Sequence, residues 1–170
     1  MIRAYRKGED VELLFPVIKS WLSECKANEF GIEIEMPAYV ETVFRLIEHE
    51  DTDLMVMFFE DEIVGLMGIT CSKCPIGVQN IANSLYWYTL PEHRGKGISF
   101  VLEARRWAKQ KNCSHIIFSA SKMASEMHDR VCQIYEHIKM KKFETSYILE
   151  LGKKAQNTQA SPPGGSGPER

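Results

Sequence analysis

"PEHRGKGISF", residues 91–100, sets a proline, two glycines and three groups able to carry positive charge between an aromatic run and an apolar, helix-patterned stretch. At a helix start several backbone amides lack intrahelical partners and point out along the axis. They form an anion site, which the helix dipole reinforces by ~0.3–1 kcal/mol per charge. Glycine lets backbone approach a phosphate closely. The charges of Arg94 and Lys96 add to such a site, or are simply solvated. The spacing fits neither G-x-x-x-x-G-K-[ST] nor G-x-G-x-x-G, which excludes the usual nucleotide loops. On these residues alone a phosphate cradle and a plain glycine-containing helix start are equally good readings. The flanking sequence has to decide.

Upstream, "NSLYWYTL" reads as an aromatic strand, and "LMVMFFEDEIVGLMGIT" as two strands joined at Glu60, Asp61 and Glu62. Before them, "MIRAYRK" alternates as a short strand, with Ile2 and Ala4 on one side. Val11, Leu14, Phe15, Ile18, Leu22 and Cys25 follow helical spacing behind a candidate N-cap at Asp10. Pro16 must kink that helix or restart it. Residues 26–36 read as a loop, and Pro37 opens a second helix with Val40, Val43, Phe44 and Ile47 on its apolar stripe. Downstream, "GISFVLEARRWAKQKN" is a helix, "HIIFSAS" a short buried strand, and "SEMHDRVCQIYEHI" a helix with Met127, Val131, Ile134 and Ile138 on one face. "KFETSYILEL" alternates as a final strand. The predicted order is β-α-α-β-β-β-α-β-α-β, a mixed α/β sheet with helices on both faces. Residues 1–151 form the expected domain. Residues 152–170, rich in Pro, Gly and Ser, are read as a disordered tail, since they have too little apolar surface to offset their ordering entropy.

The chain's 170 residues include enough apolar material for a core without disulfides or metal. A net charge of −2 argues against a nucleic-acid partner, which calls for a basic excess. No basic-then-apolar leader and no apolar run near membrane length is present, so the expected setting is cytoplasmic, with no membrane partner. The five cysteines are scattered and odd in number, as suits a reducing compartment. Cys71 and Cys74 make a C-x-x-C, but no second ligand pair completes a zinc site, and no metal is expected.

The segment around the turn resembles motif A of the GNAT acyltransferases, R/Q-x-x-G-x-G/A, here Arg94-Gly95-Lys96-Gly97-Ile98-Ser99. Ser99 departs from the usual Gly or Ala. "QIYEHIKMKKFE" is similar to the family's "LYEKLGF" segment and puts Tyr135 on the tyrosine position, with Lys139 and Met140 in place of Gly and Phe. His128 stands where the family often has an Asn that contacts the pantetheine arm. The order of elements over most of residues 1–151 also resembles the family's.

That resemblance implies a GNAT-like, mostly antiparallel sheet and acetyl transfer from acetyl-CoA to a primary amine by direct attack. It implies that the aromatic strand splays from its neighbour, so that Trp87, Tyr88 and Thr89 meet pantetheine. Arg94, Gly95, Lys96, Gly97, Ile98, Ser99 and Phe100 would hold the diphosphate through backbone amides, with His128 beside the arm. A backbone amide near Tyr88 would polarise the thioester carbonyl, and Tyr135 would protonate the leaving thiolate. No strand carboxylate offers itself as base where Ser119 stands, so proton removal falls to ordered water, with Tyr86, Asn83 and Glu33 as candidates to position it. The acceptor usually enters over the loop between the first two helices. Here that loop carries Glu29, Glu33 and Glu35, an acidic lip suited to a cationic amine. A catalytically silent CoA-binding or protein-interaction module, or an accessory protein of a larger assembly, stays open, as does a homodimer.

Overall fold

The computed structural model describes residues 1–149 and 151. Five strands, β1 (Ile2–Ala4), β2 (Thr52–Phe59), β3 (Glu62–Lys73), β4 (Asn80–Thr89) and β5 (Cys113–Phe118), lie side by side in chain order. All neighbours are antiparallel except β4 and β5, which run parallel. A parallel step needs a crossover, and α3 (Ile98–Gln110) provides it. The turn at 91–97 therefore sits where β4 hands the chain to α3.

Both early prolines fall in a first helical turn, where a missing amide hydrogen costs nothing. Pro16 is the second residue of α1 (Phe15–Glu24) and Pro37 the second of α2 (Met36–Glu48). Asp10 caps a separate 3-10 turn, Val11–Leu14, accepting from the Glu12 amide at 3.0 Å. Pro16 thus restarts the helix and does not kink it. Glu60 and Asp61, with φ of 48° and 67°, make the tight turn between β2 and β3.

The sheet carries a core on each face. On one, α3 packs Phe100, Ala104 and Trp107 against Met55, Met67 and Ile69. On the other, α1 and α2 bring Val17, Ile18, Val43 and Leu46 to Leu54, Val56 and Leu66. Alternation along β2 and β3 feeds the two cores in turn, which is why both strands read as nearly continuous apolar runs.

Three expectations need correction. Among the described residues the final strand is not formed: residues 141–149 carry no strand, and Phe143, Tyr147 and Leu149 are at least 75% exposed. Alternating residues make a strand only when a neighbouring edge supplies hydrogen bonds and cover. The last helix, α4 (His128–His137), starts later than expected, with Met127 as its N-cap and 40% exposed. Residues 27–30 form a 3-10 turn within the expected loop. The disordered tail read for 152–170 lies outside the described residues. Among the described residues no helix is long and apolar enough to cross a membrane.

Candidate active site

The site begins with a break in the sheet. Gly68 faces Tyr86 but Ile69 faces Ser84, so Leu85 is an extra residue in β4, a bulge. Pairing between β4 and β5 runs only as far as Ser84 and Phe118. Beyond it the strands part, and a cavity of about 820 Å³ opens between β4, the residues after β5, and α4. The Leu90 amide donates to the Val64 carbonyl at 2.9 Å. Strand alternation then turns the Tyr88 amide towards β3 as well and leaves those of Trp87 and Thr89 facing the gap. The amides beside Tyr88 that face the gap are therefore those of Trp87 and Thr89, not that of Tyr88 itself.

Of the expected donor-site residues, Trp87, Tyr88, Thr89, Arg94, Gly95, Gly97, Ile98 and His128 line this one cavity. Gly95 has φ of 94° with open space around it, a conformation that glycine adopts without strain. Gly97 has an ordinary helical φ but no room: a Cβ there would lie 2.5 Å from the Trp87 ring. Among the described residues the Gly95 and Gly97 amides have no hydrogen-bond partner, whereas those of Ser99 and Phe100 are used by the Lys96 and Gly97 carbonyls. The amides left free therefore span less than the motif. Lys96 turns away, its ammonium 3.6 Å above the Phe59 ring, and the Phe100 side chain lies in the core. The buried Thr89 hydroxyl, on the cavity wall, has no partner among the described residues. A cavity lined by unpartnered amides and an unpartnered hydroxyl fits the diphosphate and pantetheine arm of CoA.

Tyr135 is the buried residue of α4, and Trp87 Nε1 donates to its hydroxyl at 2.8 Å. The hydroxyl donates in turn to the Ser119 carbonyl at 3.2 Å. Burial pushes its pKa up to about 12, against a smaller downward pull from Trp87, so it is protonated throughout the neutral range. His128 reaches the cavity at the first turn of α4, with Nδ1 2.8 Å from the Asp129 carboxylate.

The acidic lip lies elsewhere. Glu29 sits 3.5 Å from Lys26, and Glu33 and Glu35 are exposed; none of the three lines the cavity. The carboxylate that reaches its border is Glu24, at the end of α1. It accepts from the Tyr88 hydroxyl at 2.6 Å and pairs through both oxygens with Arg94. Nothing in the spacing of residues 20–25 singles it out, because both partners are more than sixty positions away. Trp21, one turn earlier, stacks on Tyr86 at 5.8 Å and meets Tyr39 at 4.9 Å, forming an aromatic wall. Burial raises the pKa of both tyrosines, that of Tyr86 to about 12. Of the water-positioning candidates, Tyr86 reaches the cavity, while Asn83 Nδ2 lies 3.5 Å from the Ser72 hydroxyl.

Among the described residues no three His, Cys, Asp or Glu side chains gather as metal ligands would. Within the C-x-x-C pair, Cys71 approaches Cys113, Sγ to Sγ 3.3 Å.

No protein-family model and no curated protein matches the chain. Solved structures do. Ribosomal-protein-alanine N-acetyltransferase from Brucella melitensis biovar Abortus 2308 superposes with a TM-score of 0.68 at 16% identity, over 89% of this chain and 99% of that one. A GNAT family acetyltransferase from Staphylococcus aureus gives 0.59 at 14% identity, over 89% and 98%. AAC(6′)-Iy, solved with the bisubstrate analogue CoA-S-monomethyl-acetylneamine, gives 0.65 at 12% identity, over 91% and 97%. The chain has the fold of the GNAT acetyltransferases: a mixed, mostly antiparallel sheet with helices on both faces.

Proposed function

We propose that residues 1–151 form an acetyltransferase domain that moves an acetyl group from acetyl-CoA to a primary amine. The observation that carries this reading is the parting of β4 from β5 directly before the glycine turn. It puts unpartnered polar groups from β4 and the 91–97 turn around one cavity. That the superposable structures include acetyltransferases, one holding a CoA-based bisubstrate analogue, supports the same reading.

In this account the Gly95 and Gly97 amides hold the diphosphate, helped by the positive end of α3. The inward-facing backbone of Trp87 and Thr89 pairs with the pantetheine arm, and His128 flanks it. When bound, acetyl-CoA supplies the activated thioester carbon that the amine attacks. Orienting the two reactants is the main contribution of the protein, since proximity provides roughly 7–11 kcal/mol in favourable cases. An inward amide of β4 polarises the carbonyl, worth on the order of 3 kcal/mol. The Tyr135 hydroxyl donates its hydrogen to the leaving sulfur by rotating away from Ser119. The amine loses its proton to water in the cleft beside Tyr86.

The test is incubation with acetyl-CoA and a panel of primary amines, following thiol release and acetylated product. Acetylation of at least one amine, slowed in Tyr135→Phe, is expected. CoA binding without transfer to any amine would favour the silent module instead.

A further inference from the structure

The Glu24–Arg94 pair joins the end of α1 to the middle of the 91–97 turn, across 70 positions of sequence. Arg94 uses one nitrogen, Nη2, for both carboxylate oxygens. Arg94 also lines the cavity next to the unpartnered Gly95 and Gly97 amides. Glu24 is held independently from behind by the Tyr88 hydroxyl, which in turn lies 2.9 Å from the Ser20 hydroxyl. The carboxylate therefore keeps an anchor if Arg94 moves away. Both side chains are partly exposed, at 37% and 27%, so the pair is breakable.

We propose that Glu24 is a positioning residue that competes with the donor's diphosphate for Arg94. A carboxylate against the guanidinium offsets the field that Arg94 presents to this anion cradle. A diphosphate offers more charge and more acceptor oxygens than a single carboxylate, so it draws Arg94 over and leaves Glu24 on Tyr88. Donor affinity is thereby set below what the cradle alone would give. This inference rests on the proposed donor site.

The test is calorimetric titration with CoA at fixed salt, for wild type, Glu24→Gln, Arg94→Gln and the double variant, with Glu24→Ala as a second removal of the charge. Both Glu24 variants should bind CoA roughly two- to fivefold more tightly, the range spanned by an exposed ion pair. Dephospho-CoA, which keeps the diphosphate, should show the same gain. In the Arg94→Gln background the gain should vanish, because the competition is for Arg94. Unchanged or weaker binding in the Glu24 variants overturns the proposal, as does a gain that persists without Arg94. If wild type binds CoA and the Glu24 variants show no gain, this inference alone fails. If wild type binds none, the donor site fails with it.

Discussion

Trp87 Nε1 donates to the Tyr135 hydroxyl across 2.8 Å, tying the last helix to the strand that faces the cavity. The same Trp87 ring limits Gly97 from the other side. One indole thus holds both the proposed proton donor and the mouth of the proposed phosphate cradle.

Removing the hydroxyl separates chemistry from binding. Tyr135→Phe should lower kcat by roughly 10²–10⁴ while leaving CoA affinity within about twofold. It should also cost ~1–3 kcal/mol of stability, because the Trp87 N–H loses its partner. Turnover and a urea titration on the same preparation check both. An unaltered kcat would remove Tyr135 from the mechanism.

Gly97→Ala tests how tightly the cradle is built. Its Cβ would meet the Trp87 ring at 2.5 Å and the Thr89 hydroxyl at 3.2 Å. Displacing that ring should cost ~1–3 kcal/mol of stability and raise the Kd for CoA severalfold. Wild-type stability together with wild-type affinity would contradict the packing described.

Lys139 marks a departure with a readable cost. α4 ends with the Lys139 amide on the Glu136 carbonyl and the Met140 amide on the Tyr135 carbonyl, a Schellman turn that asks for a left-handed residue. Lys139 supplies it at φ of 63°, where glycine is unstrained. Lys139→Gly should raise stability by about 1 kcal/mol, seen as a higher urea midpoint. A lower midpoint would mean that the lysine side chain contributes more than its backbone costs.

Alkaline titration reports on the buried tyrosines. Burial raises Tyr135 and Tyr86 to about 12 and Tyr39 further, all from an ordinary value near 10. Their contribution is complete below about pH 10, where both folded and unfolded chains keep the protons. Above it the unfolded chain gives up protons first, so stability should fall from about pH 10 through pH 12. Urea midpoints at pH 8, 10 and 11.5 measure the fall, and Tyr39→Phe should make it shallower. A flat profile would place these hydroxyls in water.

Local chemistry was legible; long-range pairing was not. Pro16, Pro37, Asp10 and the Glu60–Asp61 turn declare their positions because each acts on the backbone beside it. The glycine turn was legible for the same reason, although only the structure separates Gly95, needed for its φ, from Gly97, needed for its lack of a side chain. The parting of β4 from β5 followed from the family resemblance, not from periodicity. Residues 142–151 have a strand's alternation, yet 141–149 take no neighbour, since pairing depends on an edge that the segment does not contain. Glu29, Glu33 and Glu35 declare only charge on a loop; that none of them lines the cavity depends on how the loop packs. Glu24 was not legible because its two partners lie across the fold.

In the proposed function the cavity opened beside β4 is a CoA site with the 91–97 turn as its phosphate cradle. Calorimetric titration of CoA into the wild-type chain and Gly97→Asp measures it directly. One CoA per wild-type chain, with binding abolished by the added bulk and negative charge in Gly97→Asp, is the predicted result. No heat of binding in a folded wild-type chain, or equal affinity in Gly97→Asp, would contradict it.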